Sequence, residues 1–119
     1  MILMKYKPRL KEQDELREGD VRRFTLDKDG IVSYIGVLTR IEEGRILVMQ
    51  CYKDDPNSTR YLIEDVEETG LEYAMFLDSI EWILDRKTAG RRYGKLSKRD
   101  FRNIRDMRTW SAENVRRLG

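Results

Sequence analysis

The charged turns of this chain contain side chains that could carry acid–base chemistry at a phosphate. The sequence has no histidine, so carboxylates and Lys or Arg must supply any acid–base chemistry. Attack by a 2′-hydroxyl needs a base for its proton, a cation at the phosphate and an acid for the leaving oxygen. We expect the turns at 27–30 and 53–60 to meet at one end of a small β structure, unless they are ordinary solvated turns. The candidate catalytic residues are Lys28, Lys53, Asp54 and Arg60.

Three tyrosines lie in strand-like sequence and could stack on unpaired bases, as aromatic side chains do in proteins that bind single-stranded RNA. These candidate RNA-binding residues are Tyr34, Tyr52 and Tyr61. The alternative is packing at strand edges, where the ring of a tyrosine is buried and its hydroxyl finds a polar partner.

Basic residues concentrate at the C-terminal end. Residues 1–85 carry 12 Lys and Arg against 19 Asp and Glu, a net charge of −7, whereas residues 86–119 carry 12 against 3, a net charge of +9. This asymmetry predicts a surface for a polyanion such as single-stranded RNA. The alternatives are a solvated helix face, or a basic helix that docks on an acidic protein, for example on residues 54–85 of a second subunit. The candidate phosphate contacts are Arg92, Arg102 and Arg105.

Composition argues against several other functions. Metal sites and histidine-based chemistry lose their commonest ligand because histidine is absent. The single cysteine, Cys51, lies in an apolar run, so a buried thiol is expected and no intrachain disulfide can form. The segment from Gly90 to Gly94 matches no nucleotide-binding motif, and no apolar run approaches the ~18 residues of a membrane span. We therefore expect a cytoplasmic protein with no cofactor and no membrane partner.

The spacing of apolar runs and turns predicts a mainly β fold. Short runs of alternating apolar residues are separated by turn sequences such as 42–44. This pattern favours a small barrel over a parallel α/β sheet, with residues 45–52 as a central strand because they are apolar on both faces. The length of 119 residues fits one domain. The predicted organisation is a polar lead-in (1–18), a single domain (19–110) and a basic tail (111–119).

One helix is predicted, over residues 97–109. Ser97 is a natural N-cap and Asp100 stands at the third helical position, in a variant of the capping box. Leu96 before the cap and an apolar residue four positions into the helix are placed to form a hydrophobic staple. Apolar residues then recur every three positions and should dock on the sheet. This apolar stripe is Phe101, Ile104 and Met107.

Three short stretches follow one another in a recognisable order. They are Gly19-Asp20-Val21, Val48-Met49-Gln50-Cys51, and the run from Ala74 to Ile83 followed by Arg86 and Gly94-Lys95-Leu96-Ser97. Together they resemble the MazF/PemK (Kid/CcdB-like) toxin family, over about residues 16–109. The resemblance implies an SH3-like barrel with a C-terminal helix, usually a homodimer. It also implies metal-independent, sequence-selective cleavage of single-stranded RNA, as in an mRNA interferase, neutralised by an antitoxin protein.

The chain departs from the family at both active positions. The family carries an Arg-Pro pair entering its second strand, whereas this chain reads Gly30-Ile31-Val32 there. The family has Thr or Ser after its central strand, whereas Cys51 is followed here by Tyr52. Two functions therefore stay open. The chain is a hydrolase that uses other residues, or it is a barrel without catalysis that binds RNA or an acidic protein.

Overall fold

The structure is a computed structural model that describes residues 15–27 and 29–106 in full, together with the backbone of 107–110 and 115–117. Most described residues belong to strands, so the chain is mainly β. The strands are β1 (Asp20–Asp27), β2 (Ile31–Glu42), β3 (Arg45–Tyr52), β4 (Tyr61–Leu62), β5 (Phe76–Leu84), β6 (Ala89–Lys95) and β7 (Val115–Arg117). The helices are α1 (Val66–Thr69) and α2 (Lys98–Trp110), with a 3₁₀ turn at Arg86–Thr88.

One sheet contains all the strands in this part of the chain. Its order is β4-β5-β3-β2-β1-β6, every neighbouring pair is antiparallel, and β7 pairs with β5 in parallel. β3 lies between β2 and β5, which confirms the predicted central strand. β6 returns across the chain to pair with β1, where two register shifts interrupt the ladder.

Tight hairpins at the predicted turns set the register. The β1–β2 turn contains Asp29 and Gly30 at positive φ, and the β2–β3 turn contains Gly44 at φ 77°. Positive φ is the conformation that glycine adopts without steric cost. Antiparallel pairing then brings the start of β2 and the end of β3 to one end of the sheet, because Gly36 pairs with Gln50.

Gly36 is needed for close packing within β2. A Cβ at this position would lie 2.8 Å from Val48 Cγ1 and 2.9 Å from the Met49 carbonyl oxygen. Any other residue would therefore push β2 away from β3. A glycine within a strand is typical of a bend or of close backbone approach, and here the neighbouring strand β3 accounts for it.

Side chains alternate between two faces of the sheet, and each face has its own buried cluster. We call the first the helix face, with Val21, Val37, Met49, Cys51 and Leu77 in its core. We call the second the groove face, with Phe24, Leu38, Ile46, Val48 and Leu84 in its core. Cys51 is buried as predicted, and burial raises the pKa of its thiol to about 12. The thiol therefore stays protonated and acts as a small apolar group.

Helix α2 covers the helix face. Its backbone begins as predicted, because the Asp100 amide donates to Ser97 Oγ at 3.1 Å. Ile104 is 1% exposed within the first core cluster and Phe101 packs against that cluster. These two residues confirm the apolar stripe, whereas the side chain of Met107 lies outside the described residues. The helical bounds differ from the prediction by one residue at each end.

The structure contains three elements that the sequence pattern does not predict, namely α1, β6 and β7. The segment from Gly90 to Gly94 has the sequence of a flexible basic loop, but it forms most of β6 because it pairs with β1. The acidic stretch 64–70 was expected to be a turn, but four of its residues form α1, which Gly70 ends at φ 72°. The basic tail was expected to be irregular or helical, but 115–117 form β7 because the side of β5 accepts a parallel partner there. The rest of the tail, and 1–14 of the lead-in, lie outside the described residues. No helix in the described part of the chain is long and apolar enough to cross a membrane.

Candidate nucleic-acid interface

An open groove of about 750 Å³ lies on the groove face. It forms where even-numbered residues of adjacent strands project from the side of the sheet opposite α2. Its apolar wall includes Leu26 of β1, Val32 and Tyr34 of β2, and Trp82 of β5. The volume falls within the range of small-ligand sites, roughly 300–1,000 Å³. The groove is therefore large enough for a planar ring to enter beside the aromatic side chains.

Polar side chains stand around this apolar wall. Gln50 of β3 lines the groove and offers an amide with both a donor and an acceptor. The 3₁₀ turn forms part of the rim of the groove. The Asp85 carboxylate caps this turn, since it accepts a hydrogen bond from the Lys87 amide at 3.0 Å. Lys87 and Thr88 thereby line the groove opposite Asp27. The site combines ring surfaces with one amide and charges of both signs.

Tyr34 is held within the apolar wall. Its ring centroid lies 6.2 Å from that of Phe24. Burial raises the pKa of Tyr34 to about 12, and the nearby Tyr52 raises it further. Its Oη is buried and has no hydrogen-bond partner among the described residues. Because an unpaired buried hydroxyl costs free energy, packing alone does not account for a tyrosine here.

Tyr52 and Arg60 extend the groove face beyond Tyr34. The Arg60 guanidinium carbon lies 3.7 Å from the centroid of the Tyr52 ring. Burial is the main cause of the raised pKa of Tyr52; Asp78 raises it further and Arg60 lowers it. Arg60 Nη1 also donates to the Asp54 carbonyl oxygen at 2.6 Å. The guanidinium is therefore held over the Tyr52 ring.

The loop 53–60 carries three of the four predicted catalytic residues. The Asp55 carboxylate closes this loop, since its Oδ1 accepts from the amides of Thr59 and Arg60 at 3.0 and 3.2 Å. Asp54 is exposed in the same loop. Lys53 Nζ lies instead 5.6 Å from the centroid of the Tyr73 ring. The fourth candidate, Lys28, lies outside the described residues. The structure thus brings Tyr34, Tyr52, Asp54 and Arg60 to one end of the sheet.

Tyr61 is separate from this group. Its hydroxyl donates to Asp100 Oδ1 at 2.6 Å and accepts from Asn103 Nδ2 at 3.0 Å. Burial, followed by the hydrogen bond to Asp100, raises the pKa of Tyr61 to about 12. Tyr61 therefore joins β4 to α2, as the packing alternative expects.

Asp100 is the centre of that junction. Burial opposes its ionisation, but the hydrogen bond from Tyr61 and the amides of Asp65 and Glu64, at 2.9 and 3.2 Å, hold its pKa below the usual value. Arg99 adds ion pairs to Glu64 and Asp65 at 3.0 and 2.9 Å. The first turn of α2 is thus bound to the segment after β4.

The three candidate phosphate contacts do not reach the groove. Arg92 Nε donates to Asp20 Oδ1 at 2.9 Å, and the other oxygen of this buried carboxylate accepts from Arg22 Nε at 3.0 Å. Arg92 therefore links β6 to β1 and shares the Asp20 carboxylate with Arg22. Arg102 and Arg105 are exposed on α2, across the sheet from the groove, and Arg105 lies 5.0 Å from the Phe101 ring.

Sequence reasoning missed Trp82 and Gln50 as lining residues. The alternation of β5 places Trp82 and Leu84 on one face, and this signal is present in the sequence. The pairing of β5 with β3, which puts Gln50 on the same face, is a long-range register that alternation does not reveal.

No group of three or more His, Cys, Asp or Glu side chains is arranged to hold a metal ion in the described residues. Comparison with protein-family models and with curated protein sequences finds no match. The function is therefore argued from the geometry of the groove.

Proposed function

We propose that this chain binds single-stranded RNA in the groove, on a fold of the MazF/PemK type. One observation carries the proposal: two aromatic side chains, Tyr34 and Trp82, line the groove together with the cation Lys87. Tyr52, with the Arg60 guanidinium over its ring, is close enough to interact electrostatically with Tyr34. Proteins that bind single strands combine such ring surfaces with cations that contact the backbone. Both components occur here on one face of the sheet.

The topology supports an SH3-like barrel as the underlying fold. Strands β1, β2, β3 and β5 pair in sequence, and β6 returns to β1. Register shifts occur in the pairs β1–β6, β2–β3 and β3–β5, and such bulges increase the local bend and twist of a strand. A small barrel needs strongly bent strands of this kind.

Each part of the groove has a role in this proposal. Unpaired bases stack on Tyr34 and Trp82, because every base has a π face. The Gln50 amide hydrogen-bonds the edge of a base, and the cations Arg60 and Lys87 face the phosphates.

Metal-independent cleavage is the second candidate, and the clustering of Asp54 and Arg60 beside Tyr52 favours it. The Asp54 carboxylate would take the proton of a 2′-hydroxyl as its oxygen attacks the phosphorus, and Arg60 would stabilise the charge on the phosphate. The bond from phosphorus to the 5′-oxygen would break, and the leaving oxygen would take a proton from water. A cleaving toxin of this type would act as a homodimer and need an antitoxin. The same resemblance motivates both expectations.

The test is incubation of the purified chain with fluorescein-labelled oligouridylate in EDTA. Fluorescence anisotropy measures binding, and a denaturing gel measures cleavage. Trp82→Ala should weaken binding about 5- to 150-fold, since stacking contributes about 1–3 kcal/mol per base. The control is Tyr73→Ala, which removes an exposed aromatic residue that does not line the groove. Circular dichroism establishes that both variants fold.

The results separate the two candidates. Binding by the wild type that Trp82→Ala weakens and Tyr73→Ala preserves supports the groove. If the wild type produces RNA fragments and the Asp54→Asn and Arg60→Gln variants do not, the result supports cleavage by these residues. If the RNA stays intact at excess protein, binding without cleavage is the function that remains. A wild-type chain with no affinity for the RNA overturns the proposal and favours a protein partner for the basic helix.

A further inference from the structure

A second group of aromatic and basic side chains lies on the other side of the β1–β2 hairpin. We call Arg23, Arg91 and Tyr93 the arginine patch. The guanidinium carbons of Arg23 and Arg91 lie 5.8 and 5.3 Å from the centroid of the Tyr93 ring. Both arginines are exposed, and Tyr93 is half-buried against the first core cluster. The patch thus presents two cations around one fixed ring.

Arg23 is held in place by neutral partners. Its Nε donates to Tyr93 Oη at 2.8 Å, and its Nη1 donates to Ser33 Oγ at 3.2 Å. These bonds orient the guanidinium without neutralising its charge. A group that is already ordered loses less conformational entropy when it binds an anion.

The arginine patch contains no ion pair to a carboxylate in the described part of the chain, since neither Arg23 nor Arg91 forms one there. Some arginines elsewhere do have carboxylate partners: Arg40 and Arg45 share Glu42, and Arg92 shares Asp20 with a second arginine. The patch therefore retains two positive charges near each other in a chain whose formal net charge is only +2.

We propose that the arginine patch binds phosphates of the RNA strand whose bases occupy the groove. This inference rests on the function proposed above and adds a second contact surface to it. Strands β1 and β2 carry both surfaces: Leu26 and Tyr34 face the groove, whereas Arg23 and Ser33 belong to the patch side. An RNA strand that turns around the hairpin would contact both. Ile31, which is 77% exposed at the start of β2, lies on that route.

The chemistry of the patch favours phosphate over an acidic protein. Guanidinium groups match the oxygens of phosphate in bidentate geometry, and they stack beside aromatic rings. Nucleic-acid interfaces are more polar and more positive than protein interfaces, whose cores are apolar. The exposed hydroxyl side chains of Thr25 and Ser33 lie beside Arg23, and the backbone of α1 lies against that of Tyr93 on the other side.

The test is the salt dependence of binding to fluorescein-labelled oligouridylate. Arg23→Gln combined with Arg91→Gln should lower the slope of log K against log [salt] by about 1.4, since each phosphate contact on a single strand contributes about 0.7. The matched control is Arg40→Gln combined with Arg45→Gln, which removes the same charge at the far end of the sheet. The control should keep the wild-type slope, and circular dichroism should show both variants folded.

Each other result has a defined meaning. An unchanged slope in the patch variant, with binding retained, overturns the patch and leaves the groove proposal standing. An equal loss in both variants also overturns it, because net charge would then explain the effect. If the patch variant loses affinity for polyglutamate while its RNA slope is unchanged, the patch is a protein-binding surface. A wild-type chain that does not bind the RNA overturns the groove proposal and this one together.

Discussion

The two faces of the sheet differ in how they meet the rest of the chain. The helix face is closed: α2 packs on it through Ile104, and Asp100 ties the helix to the segment after β4. The groove face has a buried cluster of its own, yet its end near Tyr34 stays open as the groove of about 750 Å³. The tyrosine hydroxyls of the two faces also differ in whether they are hydrogen-bonded. Tyr61 has two hydrogen-bond partners, whereas the buried Oη of Tyr34 has none among the described residues.

This difference separates stability from function within one small sheet. Satisfied polar groups and buried apolar contacts stabilise the helix face. On the groove face, aromatic rings line an open groove and one buried hydroxyl has no partner among the described residues. Such features are expected where a ligand completes the packing. Matched substitutions should therefore lower the free energy of unfolding strongly on the helix face and only slightly on the groove face.

The largest effect is expected from the helix contact. Ile104→Ala should lower the free energy of unfolding by about 2–5 kcal/mol, because it leaves a cavity beneath α2. Ile31→Ala removes the same atoms from a side chain that is 77% exposed and should change stability by less than about 0.5 kcal/mol. Urea unfolding followed by circular dichroism measures both. Similar values for the two variants would mean that α2 does not close the helix face.

The Asp100 junction should give the next largest effect. Asp100→Asn should destabilise the chain by about 1–3 kcal/mol at neutral pH, because it removes the charge and one acceptor from several donors. The folded pKa of Asp100 is lowered, so the wild-type carboxylate stabilises the fold above the unfolded pKa of about 3.9 and loses this effect as pH falls through the folded value. The difference between variant and wild type should therefore shrink in acid.

Urea titrations at neutral pH and near pH 3 test this prediction. Asp106→Asn, at an exposed position of the same helix, is the control and should be nearly silent. A difference for Asp100→Asn that is equally large at both pH values would contradict the role of its ionisation.

A smaller loss is expected when Tyr61 loses its hydroxyl. Tyr61→Phe should cost about 1 kcal/mol, because the bond to Asp100 disappears and Asn103 Nδ2 loses its acceptor. Thermal unfolding measures the change. A neutral result would show that Tyr61 packs through its ring alone.

The smallest effect is expected at the open face. Tyr34→Phe deletes a buried hydroxyl that has no partner among the described residues, so stability should stay within about 0.5 kcal/mol of the wild type or rise. RNA affinity should persist because the ring remains available for stacking. A clear loss of stability would mean that Oη is hydrogen-bonded in solution, and the contrast between the two tyrosines would fail.

Local signals in the sequence predicted the elements well. Ser97 and Asp100 predicted the start of the helix because a cap is formed by residues three apart. Gly44 and the 27–30 turn predicted the hairpins because a tight turn also depends only on residues that are close in sequence. The sequence also predicted that Cys51 would be buried, since it lies in a run that is apolar on both faces.

The roles of the candidate site residues needed the tertiary structure. Tyr34 and Tyr61 look alike in sequence, but Tyr61 meets Asp100 across 39 positions and Tyr34 meets the groove. In sequence, Arg92 is a candidate phosphate contact. In the structure, β6 pairs with β1, and Arg92 forms an ion pair with Asp20. Lys53 and Arg60 belong to one loop, yet one lies by Tyr73 and the other by Tyr52.

The sequence by itself determined where the first three strands, their turns and the capped helix lie, because these depend on interactions between neighbours along the chain. Only the tertiary structure decided which charges are neutralised, which tyrosine is satisfied and which end of the sheet is open. Those properties depend on strand register and on contacts between distant residues, and period-two alternation carries no information about which strand lies beside which.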